Sequence, residues 1–303
     1  MKDDKVSSTA FSVAQGILLV SRNGKTASLV NPLEKSFYEK ILLASESGRK
    51  KWKQVQSPVF RFFVPFLERL MIPGLTVHYV LRKKAIEDFT RSALAKGAKQ
   101  VVNLGAGFDS LAWRLCPEFP KVRFIEVDHP ATHKVKKEAL QAIGDVSKNL
   151  HLLDVDFNKD SLEKKLGKSA HFKPNLSTVF IIEGVLMYLD EDKIVALFDS
   201  LKKITSKGFR LVFTFITPDG EGKYTHGPLL SLYLKIKNEP LNWKINATDL
   251  KKFMGKNKIP LYAVVKSEDI FKKLMPQTKN VIVHDGEWIA CADLKEQVKN
   301  PKK

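Results

Sequence analysis

"KQVVNLGAGFDSLAWRL", residues 99–115, decides the fold: a short strand, a turn holding Gly105 and Gly107, and a helical run from about Ser110. In a parallel sheet this arrangement sets a nucleotide-like ligand across the turn, because ligands sit at the carboxyl ends of the central strands. Gly105 and Gly107 let the backbone approach such a ligand closely. The dinucleotide fingerprint asks for a third glycine at position 110, where this chain has Ser110. Pyrophosphate binding is therefore disfavoured.

The flanking sequence supplies the rest of a sheet. "VRFIEVD" runs into a helix starting at His129-Pro130, and "NLHLLDVDF" precedes a Lys-rich helix. "STVFIIEG" precedes the helix "DEDKIVALFDSLKKI", with Asp190 at its N-cap, and "FRLVFTFITP" is a fifth strand. Five β-rich runs separated by helices describe an α/β protein with a doubly wound, mostly parallel sheet. "IPLYAVVK" adds a strand, and "NVIVHDGEWIACADL" is divided by Asp285-Gly286, a hairpin signal that predicts an antiparallel C-terminal strand. Residues 1–98 read as helical. The expected organisation is one compact unit: a helical cover over 1–98, a ligand-binding core over 99–219, an insertion or lid over 220–245, and completion of the sheet over 246–303.

Acidic residues close three of the strands. Glu126 and Asp128 end the second about twenty residues beyond the turn, where a carboxylate accepts ribose hydroxyls or caps the next helix. Asp154 and Asp156 end the third, and Glu183 ends the fourth. Acids at three strand ends around a glycine turn suit a cationic ligand with an adenosine part, which describes S-adenosylmethionine better than NAD. No metal is expected: Asp154 and Asp156 have no third ligand close in sequence. His129 reads as a helix-start residue, and His78 and His226 are candidate bases without a supporting partner.

Composition bounds the alternatives. The 303 residues are 44% hydrophobic and 10% aromatic, enough for a sizeable core. Cys116 and Cys291 are too few for a disulfide framework and lack metal-ligand spacing, which fits a reduced, cytoplasmic setting. No run approaches the ~20 apolar residues of a membrane helix, so no membrane partner is expected. The net charge of +18 invites a nucleic-acid reading, but it divides as +9 over 1–98, +2 over 99–219 and +7 over 220–303. The excess avoids the segment that holds the turn. Only 9 of the 51 basic residues are arginine, so lysine-rich solvated surfaces fit better than a base-reading groove.

"NLGAGFDSLAWRL", "FIEVDHP", "DVDF" and "EGVLMYL", in this order and spacing, resemble the leucine carboxyl methyltransferase family over residues 78–217. The early "SSTAFSVA" resembles the family's start more faintly. The resemblance implies a class I methyltransferase fold (Rossmann-like) with a helical cover, S-adenosyl-L-methionine as cofactor, and O-methylation of a carboxylate or hydroxyl on a small molecule or peptide. It implies that Arg82 holds the cofactor's methionine carboxylate and that Gly105 packs on the cofactor, with Gly107 in the same turn. It further implies that Asp128 binds the ribose, that Asp156 and Phe157 flank the adenine, and that Glu183 faces the methionyl ammonium. No catalytic residue is implied, since an activated methyl needs chiefly alignment; Tyr188 is a candidate pocket residue. The chain departs from the family's bacterial members in the apolar "QGILLV" and in Asn31-Pro32, both on the acceptor side. Two other readings stay open: a nucleic-acid methyltransferase, which the sequence "EGVLMY" after the fourth strand disfavours, and a non-catalytic or NAD-binding relative. The oligomeric state is not read from the sequence.

Overall fold

The computed structural model describes residues 6–144, 146–157, 159–218 and 241–295. Five helices come first: α1 (Ser8–Val20), α2 (Pro32–Leu43), α3 (Glu46–Gln56), α4 (Pro58–Met71) and α5 (Leu75–Ala95). Their starts are written locally. Asn31 caps α2 by accepting the Glu34 N–H at 2.7 Å, and proline occupies the first helical position of α2 and α4, where no N–H is needed.

A seven-stranded sheet follows, in the order β3-β2-β1-β4-β5-β7-β6. The strands are β1 (Gln100–Leu104), β2 (Arg123–Asp128), β3 (Leu150–Asp154), β4 (Thr178–Ile182), β5 (Phe209–Ile216), β6 (Leu261–Val265) and β7 (Glu287–Leu294). The first five pair in parallel, and β7 runs antiparallel between β5 and β6. The intervening helices are α6 (Leu111–Leu115), α7 (Pro130–Ile143), α8 (Leu162–Lys168), α9 (Glu191–Ile204), α10 (Ala247–Lys256) and α11 (Ser267–Leu274). This is the class I methyltransferase topology.

β1 and β4 are buried along their whole length, and "TVFII" reads as the near-continuous apolar run that burial on both faces demands. Alternate residues serve two cores. Val101, Val179 and Ile181 face one, with α1, α2, α5 and α6; Val102, Phe180 and Ile182 face the other, with α8, α9 and α10. The helices that follow β1 and β4 thus pack on opposite faces. Their diverging loops open a crevice at the carboxyl ends of these neighbouring strands, the topological switch point.

Two sequence expectations need correction. Residues 281–286 form no strand, so Asp285-Gly286 does not turn a hairpin. The segment packs instead against the junction of α4 and α5, where the His284 N–H donates to the Gly74 carbonyl at 3.2 Å, and Asp285 accepts from the Trp288 indole at 3.0 Å. Helix α11, "SEDIFKKL", was not anticipated either. The insertion or lid expected at 220–245 falls mostly outside the described residues. Where the chain is described again, Trp243 is buried, and Asn242 and Trp243 donate to the Met187 carbonyl at 2.8 and 3.2 Å.

Candidate functional site

The site grows from the switch point. Gly105 and Gly107 follow β1 with φ of +69° and +52°, a backbone region that side chains rarely adopt. A Cβ on Gly105 would stand 2.6 Å from Cγ2 of Val185, and one on Gly107 would stand 3.4 Å from Cβ of Ala10. The turn is therefore held between the loop after β4 and helix α1. The rings of Phe11 and Phe108 meet at 4.8 Å and continue the contact with α1.

Asp128, at the end of β2, bends back onto the turn. Its Oδ2 accepts the Gly107 N–H and its Oδ1 the His129 N–H, each at 2.6 Å. Each oxygen keeps a second lone pair for a ligand. Glu126 points elsewhere: it is fully buried and ion-paired with Lys136, and burial raises its carboxyl to about 7. His129 starts α7 by accepting the Ala131 N–H at Nδ1, and its Nε2 lies 3.8 Å from Oδ2 of Asp156. Asp128 thus holds the backbone of His129 while Asp156 lies near its ring, and Phe157, next to Asp156 in the chain, is exposed. Asp154 is engaged with His133 at 2.7 Å and forms no metal group; among the described residues no cluster of three His, Cys, Asp or Glu side chains is placed to hold an ion.

On the other side of the turn, α5 carries Arg82 and Lys83 into the crevice. Nε and Nη2 of Arg82 lie 2.9 and 2.7 Å from Oε1 of Glu183, and Nη1 lies 2.6 Å from Oε2 of Glu287. Lys83 bridges Asp109 at 3.1 Å and Glu183 at 3.2 Å. His78, one turn earlier on α5, binds Glu287 and Ser267, each at 2.8 Å. Burial alone would lower the basicity of Arg82, but Glu287 and Glu183 outweigh it and hold the guanidinium above its ordinary range. Burial would likewise raise Glu287, and Arg82 and His78 hold it well below the usual carboxylate range. Three carboxylates, Glu183, Glu287 and Asp109, thus face Arg82 and Lys83, with His78 on Glu287 and Lys136 on the Asp109 carbonyl.

The structure therefore gathers Arg82, Glu183 and the Gly105–Gly107 turn at the crevice between β1 and β4, with Asp128 against the turn and Asp156 beyond it. Tyr188 lies in a short 3-10 turn after β4 and is half-buried. Sequence reading missed Lys83, Asp109 and Glu287. Lys83 is next to Arg82 and Asp109 lies two residues beyond Gly107, so their neighbours were a signal. Glu287 had none, because only the β5–β7 pairing brings it to the crevice.

Residues 28–202 match the sequence profile of the leucine carboxyl methyltransferase family. Leucine carboxyl methyltransferase 1 of Caenorhabditis elegans is 33% identical over 166 residues, 46% of this chain and 49% of that protein. A Frankia alni protein named as a candidate S-adenosyl-L-methionine-dependent methyltransferase is 27% identical over 207 residues, 66% of this chain and 64% of that one. The chain thus spans about half to two thirds of these relatives. Among solved structures, a candidate methyltransferase from Thermobifida fusca superposes with a TM-score of 0.55 at 15% identity, covering 86% of this chain and 93% of that one. A DUF574 family protein from Streptomyces avermitilis gives 0.53 at 12% identity, covering 94% and 97%.

Proposed function

Since the chain belongs to the leucine carboxyl methyltransferase family, we propose that it transfers a methyl group from S-adenosylmethionine to an acceptor carboxylate or hydroxyl. The observation that carries this reading is the Arg82–Glu183 pair at the switch point. A guanidinium beside a carboxylate matches the carboxylate and ammonium of an amino-acid end. The contacts of Arg82 with Glu183 and Glu287 use three of the five N–H groups of a guanidinium, so donors remain for a ligand carboxylate. Asp128 would take the ribose hydroxyls, and Asp156 with Phe157 the adenine. These residues fit the cofactor.

When bound, the cofactor supplies an activated methyl on sulfur. Its transfer to an acceptor oxygen would leave the electron pair on sulfur as the neutral thioether, with Arg82, Glu183 and Asp128 holding the cofactor's two ends. The chain's own contribution is alignment and exclusion of water, which supplies up to ~7–11 kcal/mol of a barrier. A carboxylate acceptor is ionised at neutral pH and has no proton to lose; a hydroxyl must lose one. His78 has both ring nitrogens engaged, by Ser267 and Glu287, and so is not poised to take that proton. The other candidate base, His226, lies outside the described residues, and the carboxylate is the acceptor that needs neither.

The test has two stages. S-adenosylmethionine and S-adenosylhomocysteine should raise the melting temperature, and NAD should not, since a ligand stabilises the state it binds. Incubation of methyl-labelled cofactor with carboxylate-bearing peptides and small acids should then give a product that releases labelled methanol in base. That release marks a methyl ester. A base-stable product would move the acceptor to a hydroxyl, and stabilisation by NAD alone would overturn the reading.

A further inference from the structure

Helix α4 is packed with its polar side inward. Its sequence, PVFRFFVPFLERLM, has one strongly apolar side, yet no residue in it is buried. Val59, Phe62, Phe63, Phe66 and Leu67 are 67, 79, 52, 62 and 48% exposed. At about 3.6 residues per turn these positions share one side of the helix. The opposite side is bonded to the protein. Glu68 accepts the Thr76 N–H at 2.6 Å and its hydroxyl at 3.2 Å, and Arg61 Nη1 donates to the carbonyls of Val55 and Gln56 at 2.9 and 2.8 Å. These four bonds fix the rotation of the helix. Its aromatic face is presented outward by construction, and a patch of this kind marks an interaction surface.

We propose that this face lies on an anionic lipid surface, α4 resting in the plane of the interface with its phenylalanines sunk among the acyl chains. Charge selects this occupant. Residues 45–71 hold six basic and two acidic side chains, and both acids are consumed, Glu46 by Lys50 at 2.9 Å and Glu68 by Thr76. Arg49, Lys50 and Lys53 are exposed on α3, which joins α4 through Ser57, and Arg69 is exposed on α4 itself, in line with Phe62 by helical spacing. Exposed phenylalanine together with exposed cations on the same and the adjoining helix is the composition that binds acidic headgroups. A second copy is a poor occupant, because it would bring the same cations together on two chains of net charge +18. The lack of a spanning helix among the described residues does not bear on this, since a helix lying on the surface crosses nothing. The proposal is independent of the methyl-transfer reading.

Flotation of the full chain with vesicles tests it. The protein should float with vesicles of phosphatidylcholine plus phosphatidylglycerol and stay behind with phosphatidylcholine alone. Phe62→Ser/Phe66→Ser, at two exposed positions, should keep the melting temperature and weaken binding about tenfold or more. In Phe66→Trp the added indole emission should shift to the blue on the mixed vesicles, reporting insertion at that position. Equal binding by the double variant would show only the adsorption of a basic protein and overturn the proposal. So would failure of the wild type to float, an unshifted indole, or a wild-type dimer that the double variant dissolves.

Discussion

Arg82 and Glu183 come from helix α5 and from the end of β4, and two guanidinium nitrogens converge on one carboxylate oxygen at 2.9 and 2.7 Å. Gly184, next in the chain, places no side chain over that guanidinium; a Cβ there would be 3.9 Å from Nη2. If Arg82 reads the methionine carboxylate, Arg82→Ala should weaken S-adenosylmethionine and S-adenosylhomocysteine by ~1.5–3 kcal/mol and leave adenosine nearly unchanged. The variant also leaves Glu183 and Glu287 buried beside a missing charge, a fold cost of about 3–5 kcal/mol. Arg82→Lys should recover more of the stability than of the binding, because an ammonium lacks the planar fork. Calorimetric titration of the three ligands on folded variants decides it. Equal losses for S-adenosylmethionine and adenosine would mean that Arg82 only holds the fold together.

Gly105 tests the turn. Gly105→Ala must place a methyl 2.6 Å from Val185 Cγ2 at a φ of +69°. Strain of this kind costs on the order of 1–3 kcal/mol, and displacement of the turn should weaken cofactor binding with it. Adding Val185→Ala removes the Cγ2 contact and leaves the next nearest atom, Cβ, at 3.9 Å. The double variant should regain the steric part of the melting temperature and keep the dihedral part. A Gly105→Ala protein with unchanged melting and binding would remove the turn from the site.

The sheet was legible because its central strands are buried on both faces, which forces apolar runs such as "TVFII" whatever the rest of the chain does. Asp128 and Glu183 were legible for a related reason: an acid ending such a run stands at the carboxyl edge of the sheet. Glu287 was not. It begins β7, more than 200 residues from Arg82, and only the antiparallel pairing of Ile216 with Glu287 brings it to the crevice. The segment before it misled for the same cause. Val281 and Val283 have strand character, but their neighbour His284 bonds to Gly74 at the start of α5, a tertiary contact that local pattern does not encode. The inverted packing of α4 was equally hidden, since its periodicity predicts a buried face and the bonds of Arg61 and Glu68 turn that face out.

Glu126 gives the protein a pH dependence. Burial raises its carboxyl from 4.5 to about 7, against the pull of Lys136. A raised acid binds its proton more tightly folded than unfolded, so its contribution to stability falls as pH climbs from about 4.5 to 7 and is level above. A shift of that size is worth about 3 kcal/mol. Glu126→Gln removes the titration. The unfolding free energy of the wild type, measured relative to this variant by urea titration, should therefore drop by about that amount between pH 4.5 and 8. A difference that stays flat across the range would show that Glu126 remains ionised in the fold.

Asp128 should show the inverse of the Arg82 pattern. Its oxygens hold the N–H groups of Gly107 and His129, each at 2.6 Å, and the lone pairs left over are the ones assigned to ribose. Every ligand with a ribose should lose affinity in Asp128→Ala, adenosine as much as S-adenosylmethionine, by ~1.5–3 kcal/mol. Adenosine stripped of its 2′- and 3′-hydroxyls should bind wild type and variant alike, because it never used the carboxylate. Asp128→Asn should fare little better than Ala: one amide end must set an NH2 against a backbone N–H, a donor facing a donor. The loss should therefore track the hydroxyls of the ligand and not its amino-acid end. If adenosine keeps its affinity in a folded Asp128→Ala protein, the carboxylate serves to clamp the turn and the ribose lies elsewhere.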